Sequence, residues 1–573
     1  MFNLIQRRLK VTISDTCCAA LLNGSVEASD NSEPQAAPGA PAPCWLHGVR
    51  WVRWIVLMLV LAGCTTVGPD FVKPEPPVLN QWQEADGAVL SKKPGEQIQW
   101  WDAFNDPVLG KLIEIAYQNN YSLKIAGLRV LEARAQLGIA VGTLYPQIQQ
   151  ANGGANYTSA SKNAANTAAG DLQFREYSIG ASVSWELDFW GKFRRGIESA
   201  DAGLLSSIAA YDNALVLLVA QVADTYVVIR TAEAQLKVAR ENVTIQQRAV
   251  QITEARFRGG DVGELDVLQA RTQLLGTQAT IPPFETGLQQ ARNALSTLLG
   301  QPPGCLGEIL GPQPGLIPAA PQALAAGAPA DLLRRRPDVR QAELAAAAQS
   351  AAVGVAEADL YPSFGLSGFL GVVAADGTDT TRTGKSGFGQ LFNADSRTYF
   401  GGPYFSWNIL NYGRIRNNVR VQDARLQQLL VNYQDTVLNA VKEVEDGMVA
   451  FLRSREQEQI LAETEASAQR SLAIANVGYR EGISDFQRVL DAQAALLQAQ
   501  RNSVTARSTT VSSAIGVYRA LGGGWEIRSG RGFVDEATRD TMRKRVDWGV
   551  LLQPKATQPP LKGEGGGWPS PDW

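Results

Sequence analysis

The sequence predicts a mixed α/β membrane protein in which each chain contributes four membrane-crossing β-strands and two long α-helical hairpins. Three observations predict it. The 573-residue chain is written twice, with matching glycines at a fixed spacing. Each copy carries a stretch of alternating apolar and polar residues, clearest in "YSIGASVSWELDF" at 177–189. Each copy then changes to a helical apolar period over a proline-free run, 196–258 in the first and 414–480 in the second.

The elements follow in chain order. Residues 1–63 read as precursor: an extension, then a secretory signal. The signal's apolar core, Ile55 to Ala62, is too short to cross a bilayer as a helix, which needs about 20 residues. Arg50 and Arg53 give it a positive flank, and the small residues Ala62 and Gly63 precede Cys64. "LAGC" resembles the bacterial lipobox, in which the cysteine is fatty-acylated and becomes the mature N-terminus. Cys64 is therefore the expected lipidation site, and residues 64–100 form an anchored N-terminal segment.

Removal of the precursor also removes Cys17, Cys18, Cys44 and His47, the chain's single histidine. Only Cys305 remains besides the anchor, so no disulfide framework forms within the chain. Histidine-dependent nucleophilic catalysis and histidine-ligated metals are excluded. No phosphate-binding or dinucleotide glycine motif follows an apolar strand. The expectation is no enzyme, no catalytic residue, no metal and no cofactor. Taking five Lys/Arg and four Asp/Glu from the totals leaves 48 basic against 52 acidic residues. That near-neutral balance gives no footprint for nucleic acid. No segment after Cys64 reads as apolar for long enough to be a membrane helix.

The first repeat spans 101–300 and the second 330–524, with a Pro/Gly/Ala-rich linker at 301–329. Gly191 and Gly413, Gly260 and Gly482, and Gly300 and Gly522 are each 222 positions apart. The paired "LYP" motifs, starting at Leu144 and Leu360, are 216 apart, so the second copy has the longer loop between its strands. In the first copy a weaker strand around 148–155 precedes Tyr177–Phe189. In the second, a strand around 364–370 precedes one carrying Phe405, Trp407 and Ile409. Leu215, Val219, Val222, Tyr226 and Ile229 then step by four and three, as do Val437, Val441, Val444, Met448 and Phe451. Each run would extend roughly 90 Å at 1.5 Å per residue. A second helix follows each run through Gly259–Gly260 and through Gly482. Residues 525–573 end in "GEGGGWPSPDW" and read as a disordered tail.

Thirteen alternating residues suffice for a tilted strand to cross a membrane. Lipid forbids an open sheet edge, because unpaired backbone groups find no water there. Four strands cannot close. Two chains would give a barrel of about eight strands with a filled interior, whereas three would give a dozen and an aqueous lumen. A channel built from this chain is expected to be at least a trimer, with the helices continuing its wall.

The chain resembles the TolC-like outer-membrane efflux proteins, in particular the lipoprotein branch of OprM and NodT type. The resemblance rests on "CTTVGPDF" after the lipobox, "WWDAFNDPVLGKLIEIAYQNN", "LLRRRPDVRQAE", the paired "LYP" and "GISDFQRVLDAQ". It runs from about Cys64 to Gly524. It implies a homotrimer with a twelve-stranded β-barrel and a periplasmic α-helical barrel. Its implied partners are a periplasmic adaptor, an inner-membrane RND-type transporter and outer-membrane lipid. The implied function is the passive exit duct of a tripartite pump for drugs or other small molecules. A one-step protein secretion channel uses the same fold and is the alternative. Thr65 is not the aspartate that retains enterobacterial lipoproteins in the inner membrane, which favours the outer membrane.

For site residues the resemblance points to the tip of the second helical hairpin, where "GISDFQRVLDAQ" carries Asp485, Arg488 and Asp491. In the family an aspartate in the "VLDAQ" context belongs to the closed periplasmic constriction. Threefold symmetry would make Asp491 a ring of carboxylates that favours cations. The first copy has Gln269 there, and Arg488 stands where some relatives carry a second acid. Arg488, three residues before Asp491, is within reach of it along a helix. Arg334–Val339, "RRRPDV", reads as a helix start braced by arginines. Tyr145, Trp185 and Trp407 are placed near the barrel ends as an aromatic belt.

Overall fold

In the computed structural model, residues 66–75, 82–83, 90–91, 98–163, 165, 172–311, 313–325, 335–377 and 387–552 are described. Cys64 and the signal lie outside the described residues.

The chain order begins with β1 (Leu90–Ser91), α1 (Pro107–Asn119), α2 (Tyr121–Gly142), β2 (Ile148–Ser159) and β3 (Gln173–Leu187). The first hairpin follows as α3 (Lys192–Arg258), α4 (Glu264–Gln278) and α5 (Ile281–Leu298). After β4 (Leu324–Ala325) come α6 (Pro337–Ala358), β5 (Ser363–Gly377), β6 (Arg397–Ser406), α7 (Arg414–Arg480), α8 (Phe486–Ala520) and α9 (Glu536–Arg543). Helices α3 and α7 each have 67 residues, about 100 Å at 1.5 Å per residue. Their starts and ends are offset by the same 222 positions as the glycines. Gly260 and Gly482, at φ +79° and +71°, take the left-handed conformation that turns each long helix into its return.

β2, β3, β5 and β6 form one antiparallel sheet in that order, so the two copies' hairpins join through β3 and β5. β2 and β6 are its open edges. One face carries Ile179, Val183, Trp185, Leu366, Leu370, Tyr399 and Phe405; the other carries mainly small and polar residues. This is the alternation read in the sequence. The second-copy strand, however, ends at Ser406 and leaves Trp407 and Ile409 outside it. The reason lies in the turn below: Trp407 donates its indole N–H to the Leu360 carbonyl at 3.0 Å, and Tyr412 and Gly413 adopt positive φ before α7. Trp185 makes the matching bond to Leu144 O at 3.1 Å. Both tryptophans therefore tie a strand to an "LYP" leucine.

The helical seam is as expected. Leu215, Val219, Val222, Tyr226 and Ile229 are buried, as are Val437, Val444, Met448 and Phe451, with Val441 half-buried. The main core also takes in Trp100, Phe104 and Tyr518, the first and last of which stack at 5.3 Å.

Four expectations are corrected. By length and composition α3 could cross a membrane, contrary to the sequence reading. Its apolar stretch is 56% buried within the chain, as a core helix would be. The return of the first hairpin is two helices, broken before Pro282 and Pro283 because proline cannot donate into the ladder. The stretch from Gln301 is more than a linker. Leu306, Leu310 and Ile317 are buried, and Leu324–Ala325 pairs in parallel with Leu90–Ser91. Finally, the fold does not stop at Gly524. Residues 525–552 pack on the body, with Phe533, Met542 and Leu552 buried and Arg528 clamped on Asp212. Charged pairing and two aromatic rings, Trp525 and Phe533, hold this strap in place of a long apolar run.

Candidate functional site

The far ends of the two hairpins meet in a cluster of their own, separate from the main core. Ala249, Val250 and Ala270 from the first hairpin pack with Leu472, Tyr479, Phe486, Val489, Leu490 and Leu496 from the second. The pattern in "FQRVLDAQ" explains the last element. Phe486, Val489, Leu490 and Gln493 recur at helical spacing and are buried, which leaves Gln487, Arg488 and Asp491 exposed.

The turn before α8 is closed locally. Ile483 and Ser484 both donate backbone N–H groups to Gly478 O, at 2.9 and 3.2 Å. Asp485 is the N-cap of α8 and accepts from Arg488 N at 3.3 Å. Its carboxylate thus satisfies an orphan helix donor and sits at the positive end of the helix dipole. Asp491 accepts from Gln487 Nε2 at 2.9 Å, one turn back. The structure therefore brings Asp485, Arg488 and Asp491 to the exposed side of one helix start. The side-chain partner of Asp491 within the chain is Gln487 rather than Arg488. Gln269, its counterpart in the first copy, is half-buried.

One contact at the tips was not legible in the sequence. The Arg256 guanidinium lies 4.3 Å from the centroid of the Tyr479 ring and donates to Arg480 O at 3.3 Å. It joins the end of α3 to the end of α7, and no local pattern encodes a pairing over that separation. Arg271 and Glu254, at 2.7 Å, tie the first hairpin's own two arms.

At the opposite end, the segment after Cys64 is docked at the base of the sheet. Val67 N donates to Trp190 O at 3.0 Å. The buried Arg195 binds Asp70 at 2.7 Å and reaches Val67 O and Gly68 O. Gly68 packs backbone-to-backbone on Gly354 of α6, and a Cβ there would clash. "TVGPDF", from Thr66 to Phe71, is thus a docking motif. "RRRPDV" braces the repeat join: Arg336 binds Asp338 at 2.6 Å, Glu443 at 2.8 Å and the C-terminal carbonyl of α8, Ala520 O, at 2.7 Å. Arg334 lies outside the described residues. Among the described residues there is no cluster of His, Cys, Asp and Glu that could hold a metal ion.

A family model described as "Outer membrane efflux protein" matches residues 112–301 and 328–523. "Cation efflux system protein CusC" of Escherichia coli O6:H1 is 31% identical over 474 residues, covering 82% of this chain and 97% of the relative. "Nodulation protein T" of Rhizobium leguminosarum bv. trifolii is 30% identical, covering 79% and 93%. Among solved structures, the outer-membrane channel OprN superposes with a TM-score of 0.74 at 31% identity, over 80% of this chain and 99% of that one.

Proposed function

Since the chain belongs to the outer membrane efflux protein family, we propose that it is the outer-membrane exit duct of a tripartite efflux pump. Drugs or other small molecules would pass from an inner-membrane RND-type transporter and a periplasmic adaptor, through a homotrimer, to the exterior. The observation that carries this reading is the four-stranded sheet with two open edges and one apolar face. Unpaired edge groups cost several kcal/mol each in lipid, so the sheet requires copies of itself. Three copies give a twelve-stranded barrel with the apolar face toward lipid and the polar face toward the pore. A second support is a stripe on α7. Val431, Leu438, Val449, Ile460 and Ile474 are 41–59% exposed in the single chain. At 100° per residue they fall within a narrow arc of the helix, away from its buried seam. A neighbouring protomer is the occupant that would cover such a stripe along a tubular wall. A trimeric mass in detergent tests this, and a stable membrane monomer would overturn it.

In this arrangement Cys64 carries the lipid and lies two residues before the docked segment that begins at Thr66, at the foot of the sheet. One acylated terminus adds to the barrel's own hold on the membrane. Cys64→Ser should lose all metabolic fatty-acid label; equal label in both proteins would remove the anchor.

The tips of the hairpins would form the periplasmic gate, with Asp491 as a threefold ring and Asp485 and Arg488 beside it. Like charges that converge there favour cations. Asp491→Ala should loosen the closed state and lower cation preference, read as conductance and reversal potential in planar bilayers under a salt gradient. Arg488→Ala should loosen it without abolishing that preference. If Asp491→Ala leaves both readings unchanged, Asp491 faces bulk solvent.

A further inference from the structure

The sheet face assigned above to the pore is mostly small and polar, with Gln150, Asn152, Ser178, Ser182, Ser184 and Ser367 among its residues. Four aromatic rings depart from that: Phe174 near the start of β3, and a group of three on β5 and β6. Phe369 and Phe400 are direct cross-strand partners on β5 and β6, and Tyr404 stands on the same face four residues on. The rings of Phe369 and Tyr404 lie down against the backbone rather than standing off it. The Phe369 ring covers Gly180 and Gly371, and a Cβ on Gly371 would come within 2.7 Å of it. The Tyr404 ring covers Gly365, where a Cβ would be 2.5 Å from a ring carbon. The Tyr404 hydroxyl lies 3.4 Å from Ser184 Oγ. Phe400 stacks on Phe369 with centroids 5.9 Å apart and planes 21° apart.

This geometry distinguishes a platform from a plug. A ring standing off the wall would narrow the bore; a ring pinned over glycine leaves the bore free. Covering glycines with aromatic rings also stabilises sheets, and that accounts for Phe369 and Tyr404. It does not account for Phe400, whose ring covers no glycine and is 66% exposed in the single chain. The strands' polar face also carries the carboxylates Glu176 and Glu186 and, among the described residues, no lysine or arginine. An open π-face, on a strand surface whose fixed charges are negative, attracts flat, positively charged molecules.

We propose that Phe400, backed by Phe369 and Tyr404, is a stacking shelf in the pore wall for planar aromatic cations in transit. The proposal rests on the channel reading above. Its test uses the full-length trimer in planar bilayers, with ethidium added at the extracellular side, where the helical tips do not intervene. Tetrabutylammonium serves as a cation with no ring. Ethidium should produce resolvable current blockades in the wild type. Phe400→Ala should shorten their mean duration roughly three- to tenfold, and Phe400→Trp should keep or lengthen it. Potassium chloride conductance and the response to tetrabutylammonium should not change. Ethidium blockades of equal duration in the wild type and Phe400→Ala, or none in the wild type, would overturn the shelf while leaving the channel intact. A protein that never conducts would overturn the channel reading and the shelf with it.

Discussion

Helices α3 and α7 have equal length, stand 222 positions apart and share one apolar seam, yet they occupy different environments. In α3, 28 of 67 residues are buried; in α7, only 10 of 67 are. α3 is wrapped by α1, α2, α4, α5, α6 and α8, whereas α7 lies against α6 and α8. Offset-matched positions make the difference concrete. Ala209, Val216 and Val227 are at most 3% exposed, while their partners Val431, Leu438 and Val449 are 41–53% exposed. The duplicated unit therefore kept its seam and divided its labour. One copy supplies the chain's own core, and the other leaves an apolar stripe exposed in the single chain.

The same substitution at matched positions should break this comparison most sharply. Val227→Asp puts an unpaired charge into a closed core, and burying it costs more than a protomer's marginal stability can absorb. No folded protein is expected by circular dichroism. Val449→Asp should leave helical content intact and give monomers by light scattering in detergent. Trimers of wild-type yield from Val449→Asp would show that the stripe is not the assembly face.

A smaller effect follows from a buried charge network beside α3. Arg230, 3% exposed, binds Glu233 at 3.0 Å, the Tyr226 hydroxyl at 3.0 Å and Leu310 O at 2.5 Å. Glu233 also holds Arg292 and the backbone N–H of Gly315. Removing one member of a buried pair costs about 3–5 kcal/mol, because the remaining charge is stranded. Arg230→Ala should lower the thermal midpoint by several degrees. The position 222 residues on is Leu452, and Leu452→Ala should cost less, since that side chain is only half-buried.

The third test is one of pH. Burial pushes the Asp224 carboxyl up to about 6, eased by Arg519 and a hydrogen bond to Ser512. Its counterpart Asp446 is exposed and paired with Lys442 at 3.4 Å. A folded pKa above the unfolded value means that the native state holds the proton more tightly. Stability should therefore fall as pH rises from about 4 to about 6, and then level off. The upper bound on that loss is about 3 kcal/mol. Asp224→Asn should raise the melting temperature at pH 7 and leave it unchanged below pH 4. Asp446→Asn should move it by no more than about 0.5 kcal/mol equivalent at any pH, as for an exposed pair. A stabilised Asp446→Asn with an indifferent Asp224→Asn would reverse the assignment of core and surface copies.

Much of this architecture was legible because it is periodic. Strands announce themselves by twofold alternation and helices by steps of three and four. A duplication fixes both sets of boundaries at once, which is why the long helices begin and end within a few residues of the proline-free runs. Asp485, Arg488 and Asp491 at the α8 start were singled out by the family resemblance, and the apolar spacing of Phe486, Val489 and Leu490 is the local signal that explains why they stand exposed. Periodicity carried no information on the strap of residues 525–552, which is held by Arg528 on Asp212 and by ring contacts of low sequence regularity. Nor did it foresee the end of β6, set by the bond from Trp407 to Leu360.

The sequence by itself determined the duplicated unit, the four strands, the long hairpins, the seam and the glycine turns, because each depends on residues near one another in the chain. Which copy became the core, which partner Asp491 takes, how Arg256 reaches Tyr479, and which rings lie flat on the sheet were decided only by the tertiary structure. Those outcomes depend on what packs against a side chain from hundreds of residues away. Burial, the property that separates α3 from α7, belongs to the surroundings of a residue rather than to the residue.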